Sequence, residues 1–208
     1  MGELEGVIKY GLDFCLSQPT TENLSELNCW RSILYELKLI GQDSQRYEGY
    51  GFGNLSQRCQ RDKTQFIISG TQTGNFAELT RSHYVRVESC DVTLNHVTAS
   101  GPLKPSSEAL THSMFYELDS SIECVIHVHS PELWMFGLQN EYSCTDKNVE
   151  YGTQAMASEI ARLYHSGKLL QHKTLVMAGH EDGVICFGNS VNQAAMALID
   201  LWVKACSK

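Results

Sequence analysis

The sequence lacks the features that mark nucleic-acid-binding, membrane-spanning and disulfide-rich proteins. Its 208 residues carry 16 Lys and Arg against 24 Asp and Glu, and the net charge of −8 disfavours a nucleic acid or an anionic membrane as partner. Eight cysteines are scattered without a CxxC pair, which fits free thiols in a reducing compartment. No run approaches the roughly 18 apolar residues of a membrane span, and the N-terminus has no basic region of a secretory signal. We therefore expect a cytoplasmic globular protein.

The sequence also lacks repeats and Pro-rich or Ser-rich linkers, so we expect one domain over residues 1–208. The apolar periodicity predicts helices through the first forty residues, including one capped at Thr20 or Thr21 that ends at Gly41. The remaining pattern predicts a sheet with helices on both faces. The expected strands are Gln65–Ser69, His83–Glu88, Thr93–Thr98 and Glu123–His129, with a hairpin over Leu175–Phe187. Three further helices are expected. One begins at Pro105, and the other two cover about Gln154–His165 and Val191–Lys204.

Two histidines on one strand are the sharpest feature of the sequence. Side chains alternate between the faces of a strand, so His127 and His129 project from the same side. Two imidazoles in this arrangement form a two-point chelate for zinc or another divalent metal. The alternative is a polar pair on a solvated face. The flanking apolar run favours a central strand, on which both imidazoles would need partners.

A catalytic zinc site requires a third protein ligand. His180 is favoured because it lies between Gly179 and Gly183 at a strand end, where the backbone can approach a site closely. The spacing alone leaves the other histidines open as ligands. They are His83, His96, His112, His165 and His172.

The segment Pro105-Ser-Ser-Glu108 is typical of a helix N-terminus, whose exposed N–H groups suit an anion. Glu108 is either a first-turn carboxylate or, beside a metal, a general base for a C–H next to a carbonyl. Two Gly-rich segments, Gly51–Ser56 and Ser69–Gly74, match neither GxGxxG nor a Walker loop. They are either simple turns or loops that present backbone N–H groups to phosphate.

Six motifs occur in an order that resembles the class II aldolase/adducin head family. They are Gly53-Asn-Leu-Ser56, Ser69-Gly-Thr-Gln-Thr-Gly74, Pro105-Ser-Ser-Glu108, His127-Val-His-Ser130, Tyr151-Gly-Thr153 and Gly179-His-Glu-Asp-Gly183. The resemblance implies an α/β protein with a three-layer α/β/α fold and a mainly antiparallel central sheet. It also implies assembly as a homotetramer.

The same resemblance implies roles for individual residues. His127, His129 and His180 would bind a divalent metal, with Zn²⁺ favoured, and Glu108 would act as the acid/base. The metal would stabilise an enediolate formed from a small hydroxy-carbonyl substrate. The phosphate-binding residues implied are Gly53, Asn54, Thr73, Gly74, Ser106 and Ser107.

The expected function is that of a metal-dependent lyase of the aldolase type. The alternatives are a dehydratase or epimerase on the same scaffold, or a non-catalytic, adducin-like assembly module. The segment Gly137–Asn148 is shorter than the family's segment that carries a tyrosine proton donor, and Tyr142 is a weak substitute. We therefore expect a small acidic or phosphorylated keto compound as substrate, rather than the sugar phosphates that the family's aldolases cleave.

Overall fold

A computed structural model describes residues 6–207. Within that range the chain forms eleven strands and six helices. The strands are β1 (Gly11–Leu16), β2 (Gly41–Gln42), β3 (Gly51–Phe52), β4 (Asn54–Arg58), β5 (Phe66–Ser69), β6 (Tyr84–Asp91), β7 (His96–Gly101), β8 (Cys124–His129), β9 (Ser143–Cys144), β10 (Thr174–Val176) and β11 (Gly183–Gly188). The helices are α1 (Ser25–Glu36), α2 (Ala109–Leu118), α3 (Pro131–Gln139), α4 (Gln154–His165), α5 (Lys168–His172) and α6 (Val191–Cys206).

Nine strands form one sheet in the order β1-β7-β6-β5-β4-β8-β11-β10-β9, and β2 pairs with β3 in a separate hairpin. In the large sheet, β1 pairs with β7 and β9 with β10 in parallel, while the other neighbours are antiparallel. The α/β/α fold with a mainly antiparallel sheet that the family resemblance implies is therefore confirmed. Strand β8 lies inside the sheet, between β4 and β11.

Helices cover both faces of the sheet, because alternate strand residues are apolar on both sides. On one face α1, α3 and α6 pack against residues such as Ile126 and Val128 of β8. On the other face α2, α4 and α5 pack against residues such as Val125 and Ile185. The side-chain alternation of β8 consequently directs His127 and His129 towards the layer that contains α2. In residues 6–207, no helix is apolar over enough length to span a bilayer.

The prediction of helix throughout the first forty residues is wrong. The chain first forms β1, whose Leu12 and Phe14 pack against the core while its parallel pairing with β7 supplies the hydrogen bonds. Helix α1 begins only at Ser25, and the Thr20 hydroxyl accepts a hydrogen bond from the Glu22 N–H (3.2 Å) instead of capping it. The helix ends at Glu36, ahead of the left-handed residue Lys38 (φ 59°).

The later elements agree closely with the sequence pattern. Helix α4 has the expected bounds, the expected strands form with ends displaced by a few residues, and β10 and β11 form the expected hairpin. Helix α2 begins at Ala109, four residues after the expected start at Pro105, with Glu108 as its N-cap residue. Strand β4, with the polar sequence Asn-Leu-Ser-Gln-Arg, was expected only as the end of a Gly-rich loop. It is buried throughout and pairs with β8, so it brings Asn54 beside His127.

Candidate metal centre and active site

In the register between β8 and β11, Gly183 occupies a position where the histidine side chains need space. His127 and His129 are fully buried, and Gly183 of β11 pairs with His129. A Cβ atom at Gly183 would lie 2.7 Å from His180 Cδ2 and 3.3 Å from His127 Cε1. Any larger residue at this position would displace the imidazoles, so the glycine is a requirement of the cluster.

The turn between β10 and β11 brings His180 to the two strand histidines. Backbone hydrogen bonds from His180 N to Met177 O (3.1 Å) and from Gly183 N to His180 O (3.0 Å) define this turn. The His180 ring lies 5.4 Å from the His127 ring and 4.8 Å from the His129 ring, between centroids. The three ligand nitrogens lie within 4.8 Å of one another, and all three side chains are buried. The structure thus brings together the three histidines that the sequence favours.

The donor atoms of this cluster fit a divalent cation. His127 Nδ1 lies 3.2 Å from the Val184 carbonyl oxygen, and an N–H donated there leaves Nε2 with a free lone pair. That Nε2 atom lies 3.0 Å from His129 Nε2. Nitrogens bound to one zinc at about 2.0–2.1 Å lie roughly 3.3 Å apart. Three neutral imidazoles around one point are the donor set of a His₃ site.

Glu108 lies directly against this cluster. It is the N-cap residue of α2, is 1% exposed, and places Oε1 3.1 Å from His127 Nε2 and 3.3 Å from His180 Nε2. Burial opposes ionisation of Glu108, but His127 and His180 outweigh it and hold its pKa well below the usual range. Burial, together with the neighbouring His127 and His180, lowers the pKa of His129 well below its ordinary value. The site therefore combines an ionised carboxylate with a neutral imidazole.

The six residues expected to bind phosphate line a single small pocket, here called the cradle. Gly74 approaches the hairpin so closely that a Cβ atom there would lie 2.1 Å from the Gly41 carbonyl oxygen. Gly53 has φ +75°, a left-handed conformation that favours glycine. The buried Asn54 Oδ1 has no hydrogen-bond partner in residues 6–207. The cradle is lined by Gly6, Gly51, Gly53, Asn54, Gly70, Thr71, Gln72, Thr73, Gly74, Ser106 and Ser107.

The cradle residues carry no formal charge. No lysine or arginine lies within the motifs, and the closest along the chain are Arg58 and Lys104. Of these two, Arg58 turns its guanidinium to the carbonyl oxygens of Ile122 (2.8 Å) and Tyr116 (2.9 Å). An anion in the cradle would depend on N–H and O–H donors and on the N-terminal end of α2.

The sequence left His112 open as a metal ligand and gave Tyr47 no role, and His112 lies outside the three-histidine cluster. His112 is buried one turn after Glu108, with Nδ1 2.7 Å from Ser56 Oγ, which lies 2.7 Å from the Tyr116 hydroxyl. Tyr47 packs its ring against His129, with centroids 4.8 Å apart. A glutamate–histidine pair at i and i+4 was the available signal for His112, whereas no pattern around Tyr47 indicates a role.

The two tyrosines named in the sequence analysis, Tyr142 and Tyr151, lie in different parts of the structure. Tyr142 contacts Phe136 and His172, with ring centroids 6.1 Å and 4.6 Å apart. Tyr151, from the Tyr-Gly-Thr motif, instead packs against His180 at 4.6 Å. Of these two tyrosines, Tyr151 is therefore the one in contact with the histidine cluster.

The fold and the cluster together define an α/β/α domain with a buried three-histidine centre and an adjoining carboxylate. The chain belongs to the family described as class II aldolase and adducin N-terminal domain, whose model matches residues 42–206. This is a superfamily of enzymes whose members generally depend on a divalent metal.

Similar proteins include dehydratases and aldolases. The chain is 28% identical over 166 residues to a methylthioribulose-1-phosphate dehydratase of Citrobacter koseri, covering 68% of this chain and 76% of that protein. It is 39% identical over 93 residues to the dehydratase of the same name from Leptospira biflexa, covering 43% and 42%. Among solved structures, L-fuculose-1-phosphate aldolase of Thermus thermophilus has a TM-score of 0.62 at 16% identity, covering 87% and 89%. A sugar-phosphate aldolase of Thermotoga maritima has a TM-score of 0.64 at 16% identity, covering 86% and 90%.

Proposed function

We propose that the protein is a metal-dependent lyase that dehydrates a small hydroxy-ketone carrying phosphate or a similar anionic group. The observation that carries the proposal is the buried Glu108 carboxylate, which lies against the three-histidine cluster and directly follows Ser106 and Ser107 of the cradle. The names of the dehydratase relatives support dehydration over the aldol cleavage that the family resemblance first suggests. Dehydration and aldol cleavage both need a carbonyl substrate, and both would use Glu108 as the acid/base.

His127, His129 and His180 would hold the metal, and zinc suits three imidazole ligands. A bound divalent cation would polarise the substrate carbonyl and stabilise the negative charge that develops when the adjacent C–H bond breaks. Imidazoles bind a metal in their neutral form, so three of them would leave the full charge of the cation available for this purpose.

The residues of the chain would orient the substrate and move its proton. The anionic group would bind in the cradle, where Ser106 and Ser107 directly precede Glu108, the N-cap residue of α2. Because Ser107 precedes Glu108 directly, a substrate anchored there would extend past the carboxylate. Glu108 would remove the proton from the carbon next to the carbonyl and return it to the hydroxyl group on the following carbon, so that the C–O bond breaks and the hydroxyl leaves as water.

The Glu108→Gln variant tests this assignment, because glutamine keeps the size of the side chain and cannot accept the proton. We expect the purified variant to retain the metal of the wild type and to lose roughly 10²-fold or more in turnover of methylthioribulose 1-phosphate. His127→Ala should lose most of the metal, whereas the exposed control His165→Ala should keep both metal and activity.

Three outcomes contradict parts of the proposal. Full turnover in Glu108→Gln would show that Glu108 is not the acid/base and has only a structural role at the start of α2. Efficient cleavage of L-fuculose 1-phosphate without dehydration of methylthioribulose 1-phosphate would favour aldolase chemistry. A wild-type protein that binds no divalent metal and turns over neither substrate would favour the adducin-like assembly module.

We also propose that the chain is one domain and assembles as a homotetramer. Support for one domain comes from the sheet, in which β1 near the N-terminus and β11 near the C-terminus share one hydrogen-bonded layer. The tetramer rests on the family resemblance. Closed symmetric assemblies of this kind are common among soluble enzymes.

A further inference from the structure

The segment that connects β2 to β3 lies against the histidine cluster. Its Tyr47 ring meets the His129 imidazole edge-on, with centroids 4.8 Å apart at 74°. Phe52, at the end of the same hairpin, lies 5.1 Å from the Tyr47 ring and 5.9 Å from the His129 ring. The His129 imidazole is therefore packed against two aromatic rings of this hairpin.

The Tyr47 hydroxyl links the hairpin to the turn that carries His180. It donates a hydrogen bond to Asp182 Oδ2 at 2.6 Å and accepts one from Arg46 Nη2 at 2.7 Å. Asp182 lies two residues after His180, and its carbonyl oxygen accepts a hydrogen bond from Ser130 N at 3.0 Å. Ser130 directly follows His129, so the contacts form a closed circuit through both segments that carry histidines.

The backbone at this point is held in an unfavourable conformation. Tyr47 (φ 49°), Glu48 (φ 56°) and Asp182 (φ 63°) all lie in the left-handed region. Residues other than glycine occupy this region at a cost in free energy, and they stay there only where the surrounding contacts impose it. The contacts of Tyr47 at this point include its ring on His129 and Phe52 and its hydroxyl on Asp182 and Arg46.

We propose that Tyr47 is a positioning residue of the metal centre. Its ring fixes the orientation of the His129 imidazole, and its hydroxyl, through Asp182, fixes the turn that presents His180. This inference rests on the proposed three-histidine metal site. Groups beyond the ligands commonly change metal affinity by about 10–100-fold when they are removed.

The test compares Tyr47→Phe, which keeps the ring and removes the hydroxyl, with the wild type and with Tyr50→Phe. Tyr50 is a matched control because it lies in the same hairpin and is 40% exposed. Zn²⁺ affinity is measured by competition with a chromophoric chelator, and the Co²⁺-loaded proteins are compared by their visible absorption spectra. We expect about tenfold weaker Zn²⁺ binding and an altered Co²⁺ spectrum for Tyr47→Phe, with neither change in Tyr50→Phe.

A double-mutant cycle with Asp182→Asn isolates the hydroxyl–carboxylate link. Asparagine tolerates the left-handed backbone that Asp182 adopts. If the link carries the effect, Asp182→Asn weakens Zn²⁺ binding by a similar factor and the double variant is no weaker than either single variant. Wild-type affinity and spectrum in Tyr47→Phe would overturn the proposal. Failure of the wild type itself to bind Zn²⁺ or Co²⁺ would instead refute the proposed metal site, and the positioning role with it.

Discussion

Mild acid is expected to destabilise the protein through His112, which the fold holds in its neutral form. Burial lowers the pKa of His112 from 6.5 to about 3, although the nearby Glu108 opposes the shift. Between those two values the unfolded chain binds a proton that the folded chain does not. The free energy of unfolding therefore falls as the pH decreases below 6.5 and stops falling near pH 3.

The size of the effect follows from the width of this pH interval. One pKa unit corresponds to about 1.4 kcal/mol, and pH 5 lies roughly 1.5 units below the pKa of an unfolded histidine. His112 alone should therefore remove about 2 kcal/mol of unfolding free energy between pH 7 and pH 5. This is a large fraction of the 5–15 kcal/mol that is typical of a folded domain.

Urea denaturation at pH 7 and pH 5 in the presence of EDTA measures this quantity. The comparison is between the wild type, His112→Gln and the exposed control His165→Gln. Glutamine does not titrate, and any loss of the contact with Ser56 costs the same at both pH values and cancels in the difference. We expect His112→Gln to lose about 2 kcal/mol less than the wild type over this interval. Equal losses in all three proteins would refute the reasoning.

Two further predictions concern the cradle and the assembly. Gly74→Ala should destabilise the protein by about 1–3 kcal/mol or more, because the new methyl group would overlap the Gly41 carbonyl oxygen, and urea denaturation at pH 7 measures the change. A change below about 0.5 kcal/mol would show that the two segments separate easily. Light scattering at micromolar concentration should give the mass of four 23.3 kDa chains, about 93 kDa, and a mass near 23 kDa would contradict the tetramer.

Local periodicity was sufficient to predict the central strand and its two histidines. Residues two apart on a strand share a face, so the pattern of β8 placed His127 and His129 together without knowledge of any partner. The helix signal at Pro105-Ser-Ser-Glu108 was equally local; it predicted α2 with a start four residues early, and Glu108 is the N-cap residue. In both cases the relevant information lies within a few consecutive residues.

Long-range pairing and buried polar strands were not predictable in this way. Strand β1 is held by parallel pairing with β7, about eighty residues later, and its own sequence carries only a weak alternation. Strand β4 is polar, and it is buried because its side chains have specific partners, such as His112 and Tyr116 for Ser56. The role proposed for Tyr47 depends on Asp182, which lies 135 residues away.

The histidines of the cluster differ in how far apart they lie along the chain, and this difference matters for loading the metal. His127 and His129 remain neighbours even when the chain is unfolded, whereas His180 and Glu108 join them only after β11 pairs with β8 and α2 packs on the sheet. An unfolded chain therefore retains a weak two-point chelate. Any metal bound there would reduce the stabilisation that a metal at the proposed three-histidine site would confer on the folded state.

The difference in separation along the chain also favours one order of folding and metal addition over the other. Contacts between distant segments form slowly compared with local ones, so a metal present from the start meets the His127–His129 pair before the complete centre exists. At that stage one ion can join histidine pairs from two different chains. Metal supplied after the sheet has formed meets all three imidazoles at once, and folding before metal addition is expected to give the higher yield of loaded protein.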